Sequence, residues 1–196
     1  MNIINIKNKS TNCYLVPENT GWLMIDTGEP GSFSQLLQLL SQNKIPVTSI
    51  NYLVITHFHP GHAGLTQNLR DLGTKLILHE DQIPFTNRLN LMYKKNPKAN
   101  FRDIVPGNSI ILNDEDSRNF LKSLDLDGAL ISTPGHSDDS ISLILDNYCA
   151  FTGDLPYLTQ NENTFDMVIE DSWDIIRGFG TKIIYPGHNE AYKIQS

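Results

Sequence analysis

Residues 52–65, Tyr-Leu-Val-Ile-Thr-His-Phe-His-Pro-Gly-His-Ala-Gly-Leu, pass from a strand pattern through a histidine-rich turn into a helical pattern. Tyr52 to Thr56 read as a buried strand, aromatic and β-branched residues in an unbroken run. Pro60-Gly61 is a turn signal, and Leu65 and Leu69, four apart within Ala63 to Leu72, predict a helix. His57 and His59 therefore stand on the loop just past a strand end, and His62 opens the helix that follows. Six of the 196 residues are histidine, and random placement would give H-x-H-x-x-H in about one such sequence in 200, so the cluster is a signal rather than background. Imidazole is a good ligand for zinc and similar metals, and a sharp turn lets near neighbours converge. Residues 57–62 are expected to form the nucleus of a metal-binding site.

Two more histidines share a punctuation, Thr133-Pro134-Gly135-His136 and Tyr185-Pro186-Gly187-His188, each following an apolar run. Five of the six histidines thus occupy one kind of position, a loop just beyond a strand. His79 follows Leu76-Ile77-Leu78 without such a turn and reads as structural. An oxygen ligand able to bridge two metals is expected beside the imidazoles, and Asp154, in Phe151-Thr152-Gly153-Asp154, is the candidate. Asp26, in Ile25-Asp26-Thr27-Gly28, stands at a similar strand end; it reads either as an ordinary Asp-Thr-Gly turn or as a carboxylate that orients a ligating imidazole.

The remaining chain has the balance of a globular protein, 39% apolar and 19% charged, and its length fits one domain over residues 1–196. A formal charge of −7 argues against nucleic acid as a partner. The N-terminus lacks a basic stretch followed by an apolar one, and no apolar run reaches transmembrane length, so a cytoplasmic protein without a membrane partner is expected. Cys13 and Cys149 are too far apart for a metal knuckle and read as buried thiols.

Apolar runs at 14–16, 23–25, 52–55, 76–78, 110–112, 129–131, 141–145 and 182–185 predict strands. Ser34 to Gln42, Ala63 to Leu72 and Asp166 to Arg177 predict helices, and Pro17–Gly21 and Asp146-Asn147 predict hairpin turns. Hairpins near both ends with helices interspersed imply two sheets covered by helices rather than an all-parallel wound sheet. Asp81 to Pro106 carries Arg88, Lys94, Lys95, Lys98 and Arg102 among scattered apolar residues, with Pro97 interrupting any long helix. It reads as a solvated connection, with a substrate lid or subunit contact as the alternative; the oligomeric state stays open.

These residues together resemble the metallo-β-lactamase superfamily along nearly the whole chain. The family's H-x-H-x-D-H motif matches residues 57–62 at every defined position but one, and its later histidines and aspartate match His136, Asp154 and His188. The resemblance implies an α+β fold, a four-layer αββα sandwich with metals in a groove at one edge of the paired sheets. It implies a first metal on His57, His59 and His136, a second on His62 and His188, and Asp154 between them. Gly61 is the departure, since the family has aspartate there. Its loss predicts a weaker second site, partly filled, with water in place of the missing oxygen; Asp138 and Asp139 are candidates to substitute, against an ordinary capping role.

The chemistry implied is hydrolysis by a metal-bound hydroxide, with zinc as the expected metal, one or two ions, and manganese or iron as alternatives. No protein nucleophile is needed, and no G-x-S-x-G elbow occurs. Asp154 and Tyr157 are the candidates for direct participation, Tyr157 as donor to a developing oxyanion or, alternatively, as a packing residue. The Thr-Pro-Gly-His and Tyr-Pro-Gly-His elements are similar to those of thioesterase and lactonase branches, so a small ester, thioester or lactone is the expected substrate. The competing class is a non-hydrolytic metal- or ligand-binding member of the same fold.

Overall fold

A computed structural model of the protein describes residues 1–157 and 166–194, and its strands sort into two sheets. The first runs β1 (Ile4–Asn8), β2 (Thr11–Glu18), β3 (Gly21–Ile25), β4 (Ile50–Val54), β5 (Lys75–His79) and β6 (Ile110–Leu112), side by side in chain order. The second is ordered β11 (Tyr192–Lys193), β10 (Ile183–Pro186), β9 (Cys149–Gly153), β8 (Ile141–Leu145) and β7 (Gly128–Ser132). Both expected hairpins form: β2 pairs antiparallel with β3 across the Asn19-Thr20 turn, and β8 with β9 across Asp146-Asn147, where Asn147 takes φ 56°. From β3 to β6 the pairing is parallel.

The continuous apolar runs make sense once each strand is split by its period of two. Tyr14, Val16, Leu23, Ile25, Val54 and Ile77 of the first sheet meet Leu130, Ile141, Leu143, Leu145, Cys149 and Phe151 of the second in one inter-sheet layer. The alternate residues Cys13, Leu15, Met24, Leu53, Leu76 and Leu78 face outward, under α1 (Phe33–Gln42), α3 (Thr66–Arg70) and α4 (Thr86–Tyr93), which supply Leu36, Leu40, Leu69 and Leu89. On the other side, Ala129, Ile131, Ile144 and Ala150 pack under Trp173 and Ile176 of α6 (Met167–Gly178). Helix, sheet, sheet, helix is the expected four-layer order. Each buried aliphatic side chain contributes roughly 1.5–3 kcal/mol, so the strands hold only because both faces are covered. Both cysteines are buried and free, as their sequence positions suggested.

Three segments differ from the sequence reading. The helix expected over Ala63 to Leu72 is broken into α2 (Pro60–Ala63) and α3. The break has a tertiary cause: the Leu65 N–H donates to Thr27 Oγ1 at 3.0 Å instead of up its own helix, and Gly64 lies against Pro30 so closely that a Cβ would collide. Helix α5 (Asp114–Ser123) has no counterpart in the sequence reading, because its apolar face is narrow; Leu121 and the following Leu124 reach the inter-sheet layer. Its start is fixed by Asn113, whose side chain accepts the Asp116 N–H at 2.8 Å, and by three acidic residues in the first turn.

The stretch 81–106 is more than a solvated connection. It opens on a tight helical turn, Glu80–Phe85, continues as α4, and returns to bury Ile104 in the same layer as Leu89. Asn90 holds the return, donating to Ile104 O at 2.9 Å and accepting from Ile104 N at 2.8 Å. Among the described residues no helix is long and apolar enough to cross a membrane.

Candidate metal centre

Strand direction brings the candidate residues together. β3 and β4 are parallel, β9 and β10 are parallel, and β7 has the sense of β9 because β8 is antiparallel to both. Asp26, His57, His136, Asp154 and His188 each follow the C-terminal end of one of these strands. The two sheets are stitched at that rim: Ile141 N–H donates to Thr56 O at 2.9 Å, and Asn12 N–H to Gly187 O at 2.8 Å. Residues far apart in sequence are thus fixed around one edge of the paired sheets.

Asp154 is the hub. Its Oδ2 lies 3.8 Å from His57 Nε2, 3.2 Å from His62 Nε2, 3.7 Å from His136 Nε2 and 3.4 Å from His188 Nε2. His59 joins through Nδ1, which faces His136 Nε2 at 3.1 Å. One ligand atom each from His57, His59 and His136 falls within 4.8 Å of the others, and so does one each from His57, His62 and Asp154.

The opposite side of each ring decides which nitrogen carries a lone pair. His62 Nδ1 donates to Asp26 Oδ2 at 2.7 Å, and His188 Nδ1 to Ser10 O at 2.8 Å. Thr56 Oγ1 donates to Asp26 Oδ2 at 2.8 Å, so toward His57 Nδ1, 3.2 Å away, it is the acceptor. Three Nδ1 atoms are therefore tied back, and the Nε2 atoms of the same three rings face Asp154.

That convergence is a poor arrangement for a protein alone and a good one for a cation. His57 Nε2, His62 Nε2 and Asp154 Oδ1 are buried without a hydrogen-bond partner, and each such orphan costs about 1–3 kcal/mol. A bound divalent metal satisfies all of them, so the residues fit a metal by their own chemistry. Burial, reinforced by the His62 charge, pushes the His57 imidazole down to about 2, leaving it neutral and ready to coordinate. His59 is lowered by burial, then by His136 and Arg88. At His62 burial also pulls downward, but the Asp26 and Asp154 carboxylates outweigh it and push the ring up to about 10. With only protein charges present, the ring between the Asp26 and Asp154 carboxylates is favoured as an imidazolium. Asp154 is held below the ordinary carboxylate range: burial opposes this, and the His62 imidazolium overrides it.

Six of the seven candidates, together with Asp26, meet in this way. Tyr157 does not join them: its ring packs against Tyr192 at 5.2 Å and Trp173 at 6.2 Å, it is exposed, and among the described residues its hydroxyl makes no hydrogen bond to the other six. Asp139 is buried beside the histidine loop, with its Oδ1 lacking a hydrogen-bond partner among the described residues. Its Oδ2 accepts the Phe58 N–H at 2.6 Å and so holds the loop between the two histidines, while Asp138 is exposed. Gly61 lies in α2, and a Cβ there would meet only Thr11 Oγ1, at 3.3 Å.

Several positioning residues escaped the sequence reading. Thr56 links Asp26 to His57; Gln82 donates to Ile55 O at 2.8 Å and Asp139 O at 3.2 Å beneath the loop; Asn12 donates to Pro186 O and Asn189 O on either side of His188. No sequence signal marks them, since a hydroxyl or amide in a strand or turn is ordinary. Gly187 could have been marked by its place beside His188. A Cβ there would stand 2.6 Å from both Asp154 Oδ1 and His62 Cε1, so only glycine lets the strand end approach the hub.

Known proteins are similar to this chain in sequence and in fold. The sequence profile of the metallo-beta-lactamase superfamily matches residues 7–188. The "Beta-lactamase-like protein 2 homolog" of Caenorhabditis elegans is 31% identical over 186 residues, covering 92% of this chain and 56% of that protein. The "Atrochrysone carboxyl ACP thioesterase" of Aspergillus chevalieri is 27% identical over 195 residues, covering 92% of this chain and 51% of that protein. This chain therefore spans about half the length of these curated relatives. A metallo-beta-lactamase family protein of Thermus thermophilus superposes with a TM-score of 0.70 at 21% identity, over 97% of this chain and 74% of that one. TTHA1623, solved in a di-iron-bound form, superposes with a TM-score of 0.68 at 18% identity, over 98% and 94%. The profile match over most of the chain, the relative at 31% identity and the shared fold lead to one conclusion: this chain belongs to the metallo-beta-lactamase superfamily.

Proposed function

We propose that this protein is a metal-dependent hydrolase acting on a small ester, thioester or lactone, with a thioester the first choice. The observation that carries the reading is the convergence of four imidazole Nε2 atoms on Asp154 Oδ2, three of their rings held from behind. The preference for a thioester is supported by two relatives named as thioesterases, those of Aspergillus chevalieri and Emericella nidulans.

In this reading His57, His59 and His136 would hold one ion and His62 and His188 a second, with Asp154 available to both. A divalent metal in such a site supplies a Lewis acid and lowers the pKa of a water to about 7. The chain's own residues do the positioning. Asp26 and Ser10 O fix the rings of His62 and His188, Thr56 fixes His57, and Asp139 holds the Phe58 amide between His57 and His59. Zinc suits the mixed imidazole and carboxylate set, with manganese or iron as alternatives. With Gly61 in place of a carboxylate, the second position is the weaker of the two.

The test combines metal content of the purified protein with turnover of ester, thioester, lactone and phosphodiester panels after loading with zinc, manganese or iron. Stoichiometric metal with thioester or ester turnover is the expected result. Gly61 favours one competing reading, a metal-binding member without hydrolytic activity. Stoichiometric metal and no turnover on any panel would establish that reading instead.

A further inference from the structure

His79, the sixth histidine, lies outside the candidate centre, buried at the end of β5. Both of its ring nitrogens are engaged. Nε2 stands 2.8 Å from Asp114 Oδ1, at the start of α5, and Nδ1 stands 3.3 Å from the backbone nitrogen of Asp81. A carboxylate oxygen accepts and an amide donates, so Nε2 carries the ring proton and Nδ1 offers its lone pair. The Asp81 carboxylate is farther off, with Oδ2 3.6 Å from Nδ1. Groups from two elements thus hold the ring as one tautomer.

That tautomer serves as a cap. His79 precedes the turn Glu80–Phe85 in an extended backbone conformation, φ −72° and ψ 144°, and its Nδ1 accepts an N–H that the turn itself leaves free. The turn has little else to hold it. It is short and tightly wound, a geometry with poorer hydrogen bonds, and Pro84 inside it carries no N–H. Yet it presents Gln82, which is fully buried. Gln82 Oε1 accepts the His79 N–H at 3.3 Å, which directs Nε2 the other way, to Ile55 O at 2.8 Å and Asp139 O at 3.2 Å. Ile55 lies two residues before His57, and Asp139 lies three after His136 and takes the Phe58 N–H at 2.6 Å. One side-chain amide therefore ties together the two loops that carry His57, His59 and His136.

We infer that His79 is a positioning residue of the candidate centre: by capping the turn Glu80–Phe85 with Nδ1, while Asp114 holds its Nε2–H, it keeps Gln82 seated between the loop of His57 and His59 and the loop of His136. Without the cap the turn frays, Gln82 leaves its two carbonyls, and the three imidazoles lose their common placement before an ion arrives. The inference rests on the metal-binding reading above and extends it to a residue that touches no ion.

The test uses the full chain and three variants. His79→Ala removes the cap. His79→Asn restores an acceptor, since asparagine is a favoured cap residue, but is too short to reach Asp114. Ile176→Val trims a buried side chain of α6, on the outer face of the second sheet, and controls for a general loss of stability. Zinc affinity, read by competition with a chelator, should fall about tenfold in His79→Ala, the lower end of the range for residues that support metal ligands from behind. His79→Asn should recover most of the loss, and Ile176→Val should bind zinc as the wild type does. In long-range nitrogen–proton NMR spectra of the rings at neutral pH, the signals that His79→Asn removes should be those of an Nε2–H tautomer.

Wild-type affinity in His79→Ala, no recovery in His79→Asn, or a ring protonated on Nδ1 each overturns this inference while the metal-binding reading stands. A wild type that binds no zinc counts against the metal-binding reading instead, and the Phe58 amide then decides the role of His79. Its hydrogen exchange in the metal-free chain should quicken several-fold in His79→Ala and return toward wild type in His79→Asn; unchanged exchange overturns the inference. Where His79→Ala does not fold, Asp114→Ala takes its place, an exposed change that unties the ring from α5. Zinc affinity and Phe58 exchange should then shift in the same directions by smaller factors, and no shift in either overturns the inference.

Discussion

Asp26 Oδ2 lies 2.7 Å from His62 Nδ1, and the same carboxylate takes both the Thr56 N–H and the Thr56 hydroxyl at 2.8 Å. Asp26 does so from a left-handed backbone conformation, φ 59°, which aspartate tolerates better than most residues. One buried carboxylate thus orients His62 directly and His57 through Thr56, joining the end of β3 to the end of β4.

Replacing Asp26 by alanine should cost about 3–5 kcal/mol of stability, because a buried imidazole and an amide lose their partner together. Metal affinity should fall about 10–100-fold. Asp26→Asn keeps an acceptor for the Thr56 amide and should lose less of both. Denaturant melts and competition titrations with a zinc chelator read the two effects separately; an alanine variant with wild-type zinc affinity would remove Asp26 from the site.

Gly61→Asp should raise metal occupancy at the second position without unfolding the chain, since the added Cβ meets only the Thr11 hydroxyl and the glycine does not occupy a left-handed conformation. Metal-to-protein ratios after dialysis should move toward two. An unchanged ratio would mean that position 61 does not face the second ion.

Gly187→Ala should act in the opposite direction. Its Cβ would stand 2.6 Å from Asp154 Oδ1 and must displace either the hub carboxylate or the strand end. Zinc affinity should drop while the far-UV circular dichroism spectrum stays close to wild type. A variant that binds zinc as well as the wild type would show that Asp154 tolerates the shift.

The metal-free protein should be most stable near pH 6.5. His57 is pushed down to about 2 in the fold, so the unfolded chain binds the extra proton below about 6.5 and stability falls as the solution is acidified. His62 is pushed up to about 10, so its contribution is complete below about 6.5 and is lost as pH rises toward 10. Saturating zinc should flatten the alkaline limb, because a cation held by His62 and Asp154 would take over the stabilisation that the His62 proton supplies. Urea midpoints measured from pH 5 to pH 10, with and without zinc, check this; a metal-free midpoint that climbs steadily to pH 10 would contradict the His62 assignment.

The candidate ligand set was legible because its signals are local. A histidine in the loop just past an apolar strand, near a Pro-Gly turn, announces itself without knowledge of the fold, and five of six stand in such loops. The strands were legible for the same reason, although their runs showed burial without saying against what. Only in the folded chain do Leu23 and Ile25 turn to the second sheet while Met24 turns to the helices. The split of one expected helix at Leu65 could not be read, because its cause is the hydroxyl of Thr27, 38 residues away.

The sequence by itself thus determined which residues could ligate a metal, that they sit at strand ends, and that position 61 lacks a carboxylate; each depends on residue type and short-range pattern. Tertiary structure alone decided that four imidazoles point Nε2 at one oxygen of Asp154, that Asp26 orients His62 from behind, and that Asp139 holds the Phe58 amide between His57 and His59. The physical reason is that ring orientation and charge pairing are fixed by partners from distant strands and turns, such as Ser10 for His188 and Thr56 for His57, which no local pattern encodes.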